Sequence, residues 1–195
     1  MNIKYLVLII GAPGSGKTTD ANIIAKNHPD IMAHFSTGEL LREEAKSGSG
    51  LGKIIDKKIS VGELVPVKIA VETVIKAINH SKKKIILVDG FPRSVEQMME
   101  LEKELLNNPN IKLSMVIEVQ VSMEVAKERV LGRARGDDDR EEVFINRMKI
   151  YNEPLGMIRD FYKSKGLLVE IDGKREIEQV VKDMEDRINE NIQFL

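Results

Sequence analysis

Gly11-Ala12-Pro13-Gly14-Ser15-Gly16-Lys17-Thr18 fits the pattern G-x-x-x-x-G-K-[ST], directly after an apolar run over 5–10 and directly before a helical pattern over 18–27. Glycines at these places let the chain turn tightly enough for successive N–H groups to point inward. The helix that follows adds the positive end of its dipole, and the lysine reaches the β and γ phosphates of a nucleotide. Gly14, Ser15, Gly16, Lys17 and Thr18 are therefore expected to cradle a nucleoside triphosphate. The Thr18 hydroxyl is a hard oxygen suited to Mg²⁺. Asp89, at the end of the apolar run 85–88, is placed to act through the same ion, directly or by water.

A phosphate donor needs an acceptor. Asp89-Gly90-Phe91-Pro92-Arg93 is followed by Gln97 a helical turn later, and an earlier stretch reads Ser36-Thr37-Gly38-Glu39-Leu40-Leu41-Arg42. Arg42 and Arg93, near separate strand ends, can form bidentate contacts with one phosphate, and the Gln97 amide can both donate to and accept from a purine. Arg129 and Arg133 stand four apart on one helical face, Arg135 follows in a loop, and Arg147 lies on the next helix. Asp137, Asp138 and Asp139 either pair with arginines or stay solvated.

These groups are positioned by alternating elements. Short continuous runs of β-branched residues and leucine at 5–10, 85–88, 115–121 and 167–171, with a weaker one at 34–36, read as strands buried on both faces of a parallel sheet. Helical patterns fall at 18–27, 38–47, 66–79, 94–107, 122–133 and 154–165, with Pro66 and Pro154 each taken as first-turn prolines. The last helix is the clearest, with Ile177, Val180, Val181, Met184 and Ile188 on one face. Such alternation predicts a doubly wound α/β domain. The stretch from Ser36 to Ile85 is too long for one crossover and predicts a helical excursion, while 132–140 reads as a polar flap.

Composition narrows the chemistry. The 195 residues suit one domain, and 42% hydrophobic with 31% charged residues excludes a disordered chain. Thirty basic against thirty-one acidic residues leave a net charge of -1, which gives no global field for nucleic acid or an anionic membrane. Without cysteine there is no disulfide, thiol nucleophile or Cys-type zinc site, and His28, His34 and His80 have no metal-ligand spacing. The longest apolar run is too short to cross a bilayer and no signal-type cleavage site follows it, so a cytoplasmic location is expected.

The segments G-A-P-G-S-G-K, S-T-G-E-L-L-R, D-G-F-P-R with its Gln97, and the later arginine-rich flap together resemble the adenylate kinases, in order and over nearly the whole chain. The resemblance implies a three-layer α/β/α P-loop kinase with a five-stranded parallel sheet. It implies a single domain over 1–195 that contains a monophosphate-binding segment at about 36–65 and a short lid at about 132–142. The implied reaction is Mg²⁺-dependent, reversible transfer between ATP and AMP to give two ADP, by a monomer with no nucleic-acid or membrane partner. Thr37 and the backbone of Val65 would meet the adenine region of AMP, Arg42 and Arg93 its phosphate beside Gly90, and Gln97 the adenine edge. Arg129 and Arg133 would serve ATP, with Gly173 of Asp172-Gly173-Lys174-Arg175 packed on its adenine. Lys17, Arg93, Arg133, Arg135 and Arg147 would stabilise the group in flight, the last two also touching AMP.

Thr37 stands where the related uridylate/cytidylate kinases tend to have alanine, which favours AMP, with a UMP/CMP kinase as the alternative. More distant is a P-loop ATP-binding regulatory module. Thr18 stands where the family usually has glycine, so the family's threonine falls at Thr19. The spacing from Arg135 to Arg147 is one residue longer than usual, which leaves Arg140 as a competitor for the lid position. The short flap without cysteines resembles the short-lid form that lacks zinc.

Overall fold

The computed structural model describes residues 3–132 and 140–193. Arg133, Arg135 and Asp137, Asp138 and Asp139, together with most of the expected flap, lie outside them. The described residues form β1 (Lys4–Gly11), α1 (Lys17–Asn27), β2 (Met32–Ser36), α2 (Thr37–Lys46), α3 (Gly50–Ile59), α4 (Val67–His80) and β3 (Ile85–Asp89). There follow α5 (Val95–Asn107), β4 (Ile111–Gln120), α6 (Met123–Gly132), α7 (Glu141–Ser164), β5 (Leu168–Asp172) and α8 (Ile177–Ile192). The strands make one parallel sheet in the order β2-β3-β1-β4-β5.

Side chains alternate across the sheet, and each face has its own helices. Leu6, Leu8 and Ile10 of β1 join Ile86 and Val88 of β3 under Val71, Val74 and Ile78 of α4, Leu101 of α5, and Ile158 and Tyr162 of α7. On the other face Val7 and Ile9 join Leu87, Ile117 and Val119 against Ala21 and Ile24 of α1 and Val180, Val181, Met184 and Ile188 of α8. The result is the expected three-layer α/β/α arrangement with a five-stranded parallel sheet. Leu41 of α2 and Ile55 of α3 reach the first of these clusters, so the helical excursion is anchored in the main core. A smaller cluster of Ala126 and Val130 from α6 with Phe144 and Met148 from α7 packs beside Ala12 at the carboxyl end of β1.

Two expectations need correction, and one further helix joins those expected. The strands are not all buried on both faces: β2 and β5 are sheet edges, and their middle residues keep partial exposure. The excursion contains α3, opened by Ser49, whose side chain accepts from the Gly52 N–H at 2.8 Å. Pro154 does not open a helix at 154–165; it lies inside α7, which begins at Glu141. A proline there deprives the Ile150 carbonyl of its helical donor. The helix continues because Val143, Phe144 and Met148 before the proline and Ile158 and Tyr162 after it are all buried, so packing outweighs the local cost. Pro66, by contrast, sits at the N-cap of α4. Among the described residues no helix is long and apolar enough to cross a membrane.

Candidate active site

The loop between β1 and α1 is built for close backbone approach. Gly14 and Gly16 hold φ of 83° and 94°, in the left-handed region open to glycine. A Cβ on Gly14 would lie 2.4 Å from the Ala126 carbonyl oxygen, so α6 is packed directly against the loop. Ser15 is buried with its hydroxyl unpaired, and Lys17 Nζ donates back to the Ala12 carbonyl at 3.1 Å. One helical turn on, Asp20 is also buried. Burial pushes its carboxyl up to about 6, against the pull of Arg129 and Lys17.

Asp89, 1% exposed at the end of β3, joins three elements. The Thr18 hydroxyl donates to Oδ1 at 2.9 Å, His34 Nε2 lies 2.6 Å from Oδ2, and the Ser36 hydroxyl donates to Oδ1 at 3.4 Å. Burial by itself raises this carboxyl, but the His34 hydrogen bond, the Lys17 charge and the Thr18 hydroxyl outweigh it and hold the group below the ordinary carboxylate range. The P-loop reading of Thr18 is thus the one that meets Asp89; Thr19 lies on the cavity wall without such a bond. His34 gives no signal in its spacing to the other histidines. Register was the usable one: β2 pairs with β3 so that Ser36 stands opposite Asp89, and His34 is two residues away on the same face.

Across the cavity, Arg42 and Arg93 converge. A Cβ on Gly38 would lie 3.3 Å from Arg42 Nη1 and 3.5 Å from Arg93 Nη2, so both guanidinium groups reach the same small space at the start of α2. Arg93 is aimed by its Nε, which donates to the Gly90 carbonyl at 2.7 Å, and Gly90 itself has φ of 73°. Gln97 is buried, and its Oε1 accepts from the Arg93 backbone N–H at 2.8 Å. Its oxygen therefore already serves the loop, and the NH₂ end is what can address a ligand. Thr37 is buried with its hydroxyl unpaired, and Val65 is buried nearby on the same cavity.

Arg129 connects the P-loop to the far end of the sheet, with Nη1 donating to Gly173 O at 3.1 Å and Ser15 O at 3.3 Å. Gly173 has no room for a side chain, since a Cβ would lie 2.5 Å from Val119 Cγ1. Arg147 approaches from α7, its Cγ 3.3 Å from where a Cβ on Gly62 would stand. Arg140, at the start of α7, donates to the Ser60 carbonyl at 3.4 Å.

One cavity of about 480 Å³ is bordered by Gly14, Ser15, Gly16, Lys17, Thr18, Thr19, Thr37, Arg42, Val65, Asp89, Gly90, Arg93, Gln97, Arg129, Arg147 and Gly173. Every phosphate- and nucleotide-binding residue expected from the sequence that falls among the described residues is in that lining, while Arg140, the competitor for the lid position, is not; Arg133 and Arg135 fall outside the described residues. Asp20 and Tyr151 also border the cavity and were missed. Tyr151 joins the half-exposed Arg159 on the buried Glu118, a cluster that has no signature in local sequence.

Comparison with known proteins agrees with this geometry. The family profile described as adenylate kinase matches residues 9–167. The adenylate kinase of Nitratiruptor sp. is 61% identical over 190 residues, covering 97% of this chain and 98% of that protein. That of Wolinella succinogenes is 56% identical over 190 residues, covering 97% and 100%. That of Helicobacter pylori is 56% identical over 186 residues, covering 95% and 97%. With a P-loop and a convergent arginine pair facing one another across a single cavity, and relatives this similar along almost their whole length, the chain belongs to the adenylate kinase family.

Proposed function

We propose that the cavity takes two nucleotides at once, ATP on the P-loop and AMP beside Thr37, Arg42 and Arg93. The reaction of the family is ATP + AMP = 2 ADP. An oxygen of the AMP phosphate attacks the γ-phosphorus of ATP, and the bond from that phosphorus to the β,γ-bridging oxygen breaks, leaving ADP on both sides. The AMP phosphate is already an anion, so no general base is required. What the protein must supply is alignment and positive charge on the group in flight. The backbone from Gly14 to Gly16 and Lys17 hold the donor phosphates, and Arg42 and Arg93 hold the acceptor. Arg147, with Arg133 and Arg135, stabilises the transferred group. Gln97 and the Val65 backbone read the adenine of AMP, while Arg129 and Gly173 border the adenosine of ATP.

The observation that carries this reading is the meeting of two arginines at Gly38, across the same cavity from Lys17. Two guanidinium groups converging on one point match the geometry of a phosphate ligand.

Mg²⁺ fits the donor set. Asp89 and Thr18 are hard oxygens held 2.9 Å apart, and the Asp89 carboxyl is kept ionised. Among the described residues no cluster of three histidines or acidic side chains could hold a cation by itself. The ion would therefore take most of its ligands from phosphate and water, with Thr18 and Asp89 fixing it. When bound it neutralises donor phosphate charge. The chain acts as a monomeric cytoplasmic kinase without nucleic-acid or membrane partners. Residues 36–65 form its monophosphate-binding segment and 132–142 its short lid within one domain over 1–195.

A mimic that joins two adenosines through five phosphates tests the two-site reading. It should bind at least about 100-fold more tightly than ATP; affinity equal to that of ATP would refute it.

A further inference from the structure

Glu118 of β4 is fully buried, and nothing in the phosphate-binding reading uses it. Both carboxylate oxygens are occupied by partners from α7. Arg159 donates from Nε to Oε2 at 2.6 Å and from Nη2 to Oε1, and the Tyr151 hydroxyl donates to Oε1 at 3.2 Å. The pair is a two-pronged fork on one carboxylate, a geometry that fixes direction as well as distance.

The placement of the two partners along α7 is informative. Tyr151 precedes Pro154 and Arg159 follows it. Because Pro154 leaves the Ile150 carbonyl without its helical donor, the helix is weakest between the two residues that Glu118 holds. The half after the proline is locked into the core by Ile158 and Tyr162. The half before it carries Arg147, one turn from Tyr151 on the same face, and both side chains border the nucleotide cavity. Burial of a charge is costly, and well-packed apolar residues would hold a helix to a sheet at least as firmly. What a hydrogen-bonded carboxylate adds is a defined angle.

We propose that Glu118 and Tyr151 are positioning residues: by pinning α7 on both sides of Pro154 they hold the helix's first half, and with it Arg147, in register with the phosphates. This rests on the role given to Arg147 above.

The test is a double-mutant cycle on kcat. Tyr151→Phe keeps the ring and removes only the hydroxyl. It should lower kcat about tenfold while leaving KM for ATP and for AMP within about twofold, the signature of a group misplaced for the transition state alone. In an Arg147→Ala background the same change should cost less than about twofold, because the residue through which it acts is gone. Wild-type kcat in Tyr151→Phe, or an equal loss in both backgrounds, would overturn the proposal; the second result would mark a general structural effect. If Tyr151→Phe does not fold, Glu118→Gln, which loosens the clamp from the strand side, is carried through the same cycle with the same expectations. Arg147→Ala at wild-type kcat would defeat the reading of Arg147 and this proposal with it. A crippled Arg147→Ala beside an unaffected Tyr151→Phe would defeat the positioning role alone.

Discussion

The Thr18 hydroxyl donates to Asp89 Oδ1 at 2.9 Å, tying the first turn of α1 to the carboxyl end of β3. The bond joins the P-loop to the strand that leads into Gly90 and Arg93. Thr18→Ala removes it together with one hard oxygen. The Mg²⁺ concentration giving half-maximal activity should rise several-fold, and stability should fall by about 1 kcal/mol. A Mg²⁺ titration of initial rate at fixed nucleotide, beside a urea melt, measures both, and an unchanged Mg²⁺ requirement would remove Thr18 from the metal site.

Gly38 is the point where Arg42 and Arg93 meet, with their nearest guanidinium nitrogens 3.3 Å and 3.5 Å from a Cβ built there. Gly38→Ala should shift the Arg42 guanidinium by a few tenths of an ångström and leave Arg93 in ordinary contact with the new methyl group. KM for AMP is expected to rise about threefold while KM for ATP stays unchanged. Equal changes in the two constants would show that the pair does not belong to the AMP side.

Arg93→Ala removes one of those guanidinium groups from an exposed position, so the fold should survive. A loss of kcat/KM of about 10²-fold or more is expected for a charge aimed at a phosphate in transfer. Near-normal turnover in steady-state kinetics would contradict its role.

Gly14 combines a φ of 83° with a Cβ position 2.4 Å from the Ala126 carbonyl oxygen. Gly14→Ala must therefore strain the loop and move it from α6. A cost of about 1–3 kcal/mol in stability is expected, with a larger relative loss in ATP affinity than in AMP affinity. Thermal melting and calorimetric titration with each nucleotide read the two effects.

Asp20 carries a carboxyl that burial raises to about 6 from an ordinary 3.8. The folded protein therefore holds this proton more tightly than the unfolded chain does. Its contribution to stability is full below about pH 4, declines as pH rises through 6, and is lost above that. Asp20→Asn removes the penalty of ionisation. Relative to wild type the variant should gain in Tm between pH 4 and pH 7, and a difference that does not vary with pH would place the titration elsewhere.

Local chemistry was legible in the chain and distant pairing was not. Gly14 to Thr18 follow one another, so strand, turn and helix announce the phosphate cradle within a few residues. Arg42 and Arg93 were legible as types, and their convergence was an expectation that the contacts at Gly38 support. His34 and Asp89 are 55 residues apart, and Arg159 and Glu118 are 41 apart; each pair meets through strand register or helix docking that no local pattern encodes. Pro154 misled for the opposite reason. Its local preference is to open a helix, whereas the buried residues on either side of it, Met148 and Ile158, carry α7 through.

The proposed function requires adenosine monophosphate on the acceptor side of the cavity, beside Thr37, Gln97 and the arginine pair. Initial rates of transfer from ATP to AMP, CMP, UMP and GMP, each reduced to kcat/KM, test it most directly. The expected result is a preference for AMP of about 100-fold or more, with two ADP formed per turnover. A preference for UMP or CMP, or no transfer to any of the four, would contradict it.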